Sequence, residues 1–154
     1  MRPVLKACAC LVDERGRLLV FHHPEDRGMQ LPKGTIEPGE APEAAVRREL
    51  LEESGIHYTG DLLSLGTIDR HCEAGVEGSK RRHPQLWHLF LMRLQAVLPE
   101  TFDHVAMGSP EEDGLVFSFS WLTHDAPLDA FAEPYVRVIA KVRQYLAGTL
   151  PACP

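Results

Sequence analysis

A chain of 154 residues has the length of one domain, because domains commonly contain about 100–200 residues. We therefore predict a single domain over residues 1–154, with a core large enough to need no disulfide or structural metal. Hydrophobic residues make up 44% and charged residues 25% of the chain, which excludes a disordered or fibrous protein. The formal net charge of -6 argues against non-specific nucleic-acid binding, which needs a basic surface.

The apolar runs and the cysteines indicate the compartment. No apolar run approaches the roughly 18 residues that a membrane span requires, and the run at residues 7–12 is too short for a signal-peptide core. The cysteines form no Cys-x-x-Cys pair, and Cys8 and Cys10 are interpreted as buried thiols on one face of a strand. We expect a soluble cytoplasmic protein without membrane association.

The N-terminal third predicts a strand pair followed by a loop. Apolar runs at residues 5–12 and 17–23 flank the polar turn Asp13-Glu14-Arg15-Gly16, the pattern of two strands joined by a turn. Residues 24–41 contain three prolines and three glycines, a density that excludes a helix or a central strand. This segment is predicted to be a structured loop, and long loops in compact domains are often functional.

Two helices and three further strands are predicted in the rest of the chain. The first helix covers residues 42–54, with Pro42 and Glu43 suited to its first turn and Gly55 placed to end it. Strands are predicted at residues 61–68, 86–94 and 115–122, with a solvated loop at 74–84. A last helix at residues 134–146 repeats apolar residues at helical spacing. Because strands outnumber helices without regular alternation, we predict an α+β fold.

Three glutamates of the first predicted helix share one face. Glu49, Glu52 and Glu53 fall within an arc of about 100° at about 3.6 residues per turn. Like charges at this spacing destabilise an isolated helix by roughly 0.2–0.5 kcal/mol per pair, and a hard divalent cation would offset that repulsion. The alternative is a solvated acidic face with Arg47 and Arg48 as ion-pair partners. The helix alone does not decide between the two.

The spacing around this helix is more specific. From Gly34 to Ile56 the chain reads Gly, five residues, Glu, seven residues, Arg-Glu, an aliphatic residue, any residue, Glu-Glu, any residue, Gly and an aliphatic residue. Seven fixed identities at about 7% usage each match a given start by chance about once in 10⁸. The pattern matches the Nudix box at every defined position. The chain therefore resembles the Nudix hydrolase family, which cleaves nucleoside diphosphates linked to another moiety.

The resemblance implies an α/β/α sandwich with a mixed sheet, and a loop–helix–loop that binds Mg²⁺ or Mn²⁺. The implied metal ligands are three carboxylates and one backbone carbonyl: those of Glu49, Glu52, Glu53 and Gly34. Glu52 and Glu53 are implied to be catalytic as well. Arg48, assigned to the same catalytic set, would orient carboxylates rather than contact substrate. Glu40 would either ligate metal or brace the loop, and we favour bracing.

The reaction explains why such a site needs metal and a base. A pyrophosphate link is anionic and repels a nucleophile, so divalent ions assist by neutralising its charge. One glutamate can also act as general base. In the family this base is either a helix glutamate or an acid from a later loop. Here the later-loop candidates are Glu111, Glu112 and Asp113, and we select Glu112.

Three residues outside the box are candidate substrate contacts. Lys33 stands in a Leu-Pro-Lys-Gly run similar to that of dinucleoside polyphosphate hydrolases, and its ammonium would meet a phosphate or remain a solvated loop lysine. Arg82 belongs to a basic patch at residues 80–83 that would bind a polyphosphate tail or form a solvated hairpin tip. Trp87 or Phe90 would stack on a base, but strand alternation lets at most one of them face a pocket.

The favoured function is metal-dependent hydrolysis of a pyrophosphate bond in a small nucleotide, with a dinucleoside polyphosphate as the leading candidate. An oxidised-nucleotide sanitising pyrophosphatase is one alternative. A non-catalytic nucleotide-binding Nudix domain is another, although such domains typically lose box glutamates that this chain keeps. His22 and His23 are adjacent, without a second pair at metal-ligand spacing, and receive no role. The sequence leaves the oligomeric state and the identity of the base open.

Overall fold

The computed structural model describes residues 2–26, 28–71 and 83–148, which form one mixed sheet of eight strands and two helices. The strands are β1 (Val4–Val12), β2 (Leu18–His22), β3 (Met29–Gln30), β4 (Lys33–Thr35), β5 (Leu62–Arg70), β6 (Gln85–Arg93), β7 (Phe102–Val105) and β8 (Val116–Leu122). The helices are α1 (Pro42–Ser54) and α2 (Glu133–Leu146). The strand order is β5-β6-β1-β2-β8-β7, with β3 paired to β2 and β4 paired to β1.

The sheet separates two hydrophobic clusters, because successive residues of a strand point to opposite faces. In β1, Cys8 and Cys10 pack in the cluster that contains the apolar face of α2. Ala7 and Ala9 point to the other face, where Leu50 of α1 packs. Every residue from Ala7 to Val12 is fully buried, since β1 lies between β6 and β2 and has a helix over each face. The predicted α+β class and sandwich are confirmed.

Both predicted helices are present. α1 has the predicted bounds, and Gly55 ends it with a φ of 77° while its N–H donates to the Leu51 carbonyl. α2 begins one residue earlier than predicted, at Glu133. Cys8 and Cys10 are free and buried, as predicted. No helix in the described part of the chain is long and apolar enough to span a bilayer.

Residues 24–41 were predicted to be a structured loop without a helix or a central strand, and the structure adds two short strands to that loop. β3 and β4 lie within this segment, and β4 pairs antiparallel with β1, with Lys33 opposite Cys8. Proline is tolerated here because Pro32 falls between the two short strands, where its carbonyl accepts the N–H of Ala9 at 2.8 Å. Pairing with β1 brings the segment before α1 against the sheet.

The edge strand β7 was also not predicted. It has only four residues and pairs with β8 alone, and its side chains alternate between half-buried and exposed. β5 continues to Arg70, two residues beyond the predicted end, whereas the bounds of β6 and β8 differ from the prediction by single residues. Most of the loop predicted at residues 74–84 lies outside the described residues.

Truncating Leu50 tests the packing of α1 on the sheet. Leu50 is fully buried, whereas its neighbour Leu51 is 39% exposed. Leu50→Ala should lower the free energy of unfolding by about 2–5 kcal/mol through lost contacts and a residual cavity. Leu51→Ala, the matched control, should change it by less than about 1 kcal/mol. Urea unfolding followed by circular dichroism measures both, and equal losses would contradict the packing described here.

Candidate active site

A cleft with a volume of about 1410 Å³ opens at one end of the sheet. Its walls come from the starts of β1 and β6, the ends of β2 and β5, and the segment containing β3 and β4. The second half of α1, residues 108–112 and the first turn of α2 complete it. Five of the seven fixed box residues line this one cleft: Gly34, Arg48, Glu49, Glu52 and Glu53.

Two glycines allow backbone to lie directly against the helix carboxylates. A β-carbon at Gly34 of β4 would collide with the carboxylate of Glu49, and one at Gly108 would collide with that of Glu52. Gly108 also has a φ of 91°, which side-chain-bearing residues rarely adopt. The backbone around Gly34 and Gly108 therefore forms a cradle on either side of the glutamate face.

Arg48 connects the carboxylates of the site. Its guanidinium makes two hydrogen bonds of 2.8 Å to Glu40, one of 2.8 Å to Glu49 and one of 3.1 Å to Glu52. It also donates to the carbonyl of Thr35 at 3.0 Å, which ties α1 to β4. This geometry suits a residue that orients carboxylates, and it places Glu40 as a brace. The assignment of Arg48 to the catalytic set remains a prediction.

Glu53 is the most deeply buried of the three glutamates, with 3% of its surface exposed. Its Oε2 accepts the backbone N–H of Lys33 at 3.1 Å. Burial raises the pKa of Glu53 well above its ordinary value, and the nearby charges of Glu112 and Glu49 raise it further. Burial also raises the pKa of Glu49, against the opposing effect of Arg48. Loss of water thus disfavours the charged form of these two carboxylates.

Lys33 rests on aromatic rings in the same cleft. Its Nζ lies 4.0 Å from the Trp87 ring centroid and 5.2 Å from that of Tyr135. Burial, followed by the charge of Lys6, lowers the pKa of Lys33 to about 8. Trp87 lines the cleft but is only 1% exposed, whereas Phe90 packs in the core beside α1. Strand alternation thus separates the two rings, and base stacking by Trp87 remains a prediction.

The later loop brings two of its three acids to the cleft. Glu111 and Glu112 line it, and Asp113 does not. The loop is held by the Met107 N–H, which donates to the Glu52 carbonyl at 3.0 Å, and by backbone bonds across its base. Arg82 lies outside the described residues, so its predicted contact is not placed.

Several lining residues were not singled out from the sequence. Lys6, in β1, donates from Nζ to the Thr35 hydroxyl at 2.7 Å, and burial lowers its pKa. Arg70 and Arg137 reach the cleft from the end of β5 and from α2. The sequence signal that could have identified Lys6 is its position in an otherwise apolar strand. No local sequence pattern indicated that Arg70 and Arg137 line the cleft.

The residues present fit a hard divalent cation by their chemistry. Within residues 2–26, 28–71 and 83–148, no group of three or more His, Cys, Asp or Glu side chains is already arranged around one metal position. Arg48 instead pairs with Glu49 and Glu52. The three glutamates nevertheless supply the anionic oxygens that Mg²⁺ and Mn²⁺ prefer, and the cradle at Gly34 and Gly108 leaves the carboxylates close to backbone.

The family follows from a comparison across almost the whole chain. The family model for the NUDIX domain matches residues 2–142. The chain belongs to the Nudix hydrolase family. The box from Gly34 to Ile56 lies within the matched residues, and five of its fixed residues line the cleft.

Solved Nudix structures share the fold of this Nudix domain. The MutT protein from Methanosarcina mazei Go1 is 16% identical, with a TM-score of 0.67 over 94% of this chain and 96% of that one. A NUDIX hydrolase from Nitrosomonas europaea is 21% identical, with a TM-score of 0.65 over 97% and 92%. The E. coli dihydroneopterin triphosphate pyrophosphohydrolase is 16% identical, with a TM-score of 0.65 over 94% and 95%. At these identities the likeness shows the fold alone.

The brace between Glu40 and Arg48 predicts a pH-dependent contribution to stability. Arg48 lowers the pKa of Glu40 from 4.5 to about 2, so the bond stabilises the fold above pH 4.5 and is lost as pH falls towards 2. Glu40→Gln should lower the free energy of unfolding by about 1–2 kcal/mol at pH 7. The difference from wild type should shrink between pH 4.5 and 2.

Urea unfolding at a series of pH values measures this difference. Glu14→Gln, a change at an exposed residue of the turn between β1 and β2, is the control and should show no such trend. A difference between Glu40→Gln and wild type that persists unchanged at pH 2 would contradict the assignment.

Proposed function

We propose that this Nudix domain hydrolyses a pyrophosphate bond in a nucleoside diphosphate linked to another moiety, with Mg²⁺ or Mn²⁺ as cofactor. One observation carries the proposal: a single cleft joins the acidic face of α1 to the cationic side chains of Lys6 and Lys33. Carboxylates suit the metal, and the ammonium groups suit phosphate oxygens that the metal does not reach.

Glu49, Glu52 and Glu53 would hold the metal, together with the carbonyl of Gly34. When bound, the metal supplies positive charge that neutralises the phosphates and so favours attack by water. Arg48 already contacts Glu49 and Glu52, and so it limits how far these two side chains can turn. Its role in the proposal is to position the carboxylate ligands.

Two carboxylates are candidates to accept a proton from the attacking water. Glu53 is buried, and one of its oxygens is held by the Lys33 N–H. Glu112 comes from the later loop and is close enough for its charge to raise the pKa of Glu53. Glu53 is the better-positioned base, because its contacts restrict it more than those of a half-buried loop residue.

The cations in the cleft favour a substrate with more than two phosphates. Four cationic side chains from outside the box line it, namely Lys6, Lys33, Arg70 and Arg137. The Nζ of Lys33 lies over the Trp87 ring, and the face of this ring attracts the ammonium group. Arg82 is proposed as a further phosphate contact on the grounds of sequence alone. A dinucleoside polyphosphate has the required charge; an oxidised nucleoside triphosphate is the alternative.

Substituting the glutamates tests their part in the reaction. Glu52→Gln and Glu53→Gln should each leave the fold intact and lower kcat/KM by roughly 10²–10⁴, the effect of losing a base or a ligand. Glu43→Gln, at an exposed position in the first turn of the same helix, should keep near-normal activity. Near-normal turnover in both glutamine variants would remove these residues from the catalytic centre.

Removing metal tests the cofactor. A panel of dinucleoside polyphosphates, nucleotide sugars, ADP-ribose and oxidised triphosphates first identifies a substrate. Excess chelator should then abolish its hydrolysis, and added Mg²⁺ or Mn²⁺ should restore it. Unchanged activity in the presence of chelator would contradict metal dependence, and no hydrolysis across the panel would contradict the proposed function.

A further inference from the structure

His23 is a buried histidine in the wall of the cleft, although its sequence context suggested no role. It follows the last residue of β2 and is 5% exposed. Its ring lies 4.9 Å from that of Phe117, which belongs to the neighbouring strand β8. It lines the same cleft as the glutamates of α1. The ring is thus held in place beside the site without belonging to the Nudix box.

The hydrogen bonds around His23 determine which ring nitrogen carries the proton. The backbone N–H of Glu25 donates to Nδ1 at 3.1 Å, so Nδ1 must hold a lone pair and the neutral ring carries its proton on Nε2. The Asp26 carboxylate is 3.9 Å from Nδ1, too far for a hydrogen bond, and accepts instead from the Gln30 amide at 2.9 Å. Among the described residues, Nε2–H has no protein acceptor.

The strand order separates His23 from the cations that lie outside the Nudix box on the sheet, Lys6, Lys33 and Arg70. Along the sheet the cleft residues run from Arg70 on β5, through Trp87 on β6, Lys6 on β1 and Lys33 on β4, to His23 at the end of β2. Alternation places Lys6 and Lys33 on the α2 face with Cys8, and His23 on the α1 face with Phe117. Lys6 and Lys33 therefore line a different part of the cleft from His23, which lies on the face that α1 covers.

The carboxylates of Glu25 and Asp26 also line the cleft beside His23, so a phosphate there would meet like charge. An uncharged hydrogen-bond acceptor at this position would not be repelled by these carboxylates. We propose that His23 donates its Nε2–H to an oxygen or nitrogen of the nucleoside part of the substrate, while Lys6, Lys33 and Arg70 hold its phosphates. The proposal rests on the proposed function and adds the orientation of the substrate in the cleft, with its nucleoside at His23 and its phosphates at the cationic side chains.

Binding of two probes tests this direction. The probes are methylene-bridged nucleoside triphosphate analogues, which cannot be hydrolysed at the bridge, and inorganic tripolyphosphate, which has no nucleoside. His23→Phe keeps the ring packing on Phe117 but removes the donor. It should weaken binding of the preferred nucleotide analogue about threefold to tenfold, the effect of one lost hydrogen bond, and leave tripolyphosphate binding unchanged. Isothermal titration calorimetry measures both.

Three further variants control the experiment. His22→Ala, at the exposed neighbouring position, should change neither affinity. Lys33→Met should weaken both probes, because it removes a phosphate contact. His23→Gln keeps an N–H donor at this position and should retain more nucleotide affinity than His23→Phe, which also guards against a packing defect in the phenylalanine variant.

Specific results would overturn the proposal. These are an unchanged nucleotide affinity in His23→Phe, an equal loss for both probes in that variant, or a wild-type protein that binds tripolyphosphate as tightly as any nucleotide analogue. Hydrolysis of the substrate panel is a separate measurement. If the wild-type protein hydrolyses a panel substrate and His23→Phe binds nucleotide normally, only the role of His23 is contradicted. If the wild-type protein hydrolyses no panel substrate, the proposed function is contradicted.

Discussion

The arrangement of the site depends on a single guanidinium group that holds three carboxylates. Glutamates on one helix face repel each other, and burial of Glu49 and Glu53 increases that cost because the charged form loses water. Arg48 offsets the repulsion by bonding to Glu40, Glu49 and Glu52 at once. Its fifth bond, to the Thr35 carbonyl, joins the helix to β4. The same group therefore balances charge and fixes where the helix lies.

The bond from Arg48 to the Thr35 carbonyl, which joins α1 to β4, determines which backbone groups lie next to the glutamates. Because β4 is held between β1 and α1, Gly34 comes against Glu49, and the Lys33 N–H reaches Glu53. Backbone lies where side chains would otherwise fill the space, so the carboxylates face the cleft with little room to move. On the opposite side Gly108 brings the later loop against Glu52 and places Glu112 near the acidic face. The acidic face is thus enclosed by two loops distant in sequence.

The cations show a second constraint, which is the cost of burying an ammonium group. Lys33 is accommodated because the faces of Trp87 and Tyr135 offer partial negative charge, and its lowered pKa reflects the water it has lost. Lys6 is accommodated by the Thr35 hydroxyl. Carboxylates of the site, Glu49 for Lys6 and Glu53 for Lys33, also act on these two ammonium groups. Such positions suit a polyanionic ligand better than bulk solvent.

The sequence by itself determined the family, the α+β class, both helices and the shared face of Glu49, Glu52 and Glu53. These depend on local spacing, since a helical period or a box motif is complete within a few turns of chain. It missed β3, β4 and β7, because strands of two to four residues are stabilised by partners far along the chain rather than by their own pattern.

Only the tertiary structure decided which residues share the cleft with the glutamates. Lys6, His23, Arg70 and Arg137 come from four elements, and the strand order brings them together. The position of the His23 ring in the cleft likewise depends on its packing against Phe117 of β8. Local patterns record the period of a helix or strand, whereas the neighbours of a side chain across the sheet depend on long-range pairing that no short window of sequence contains.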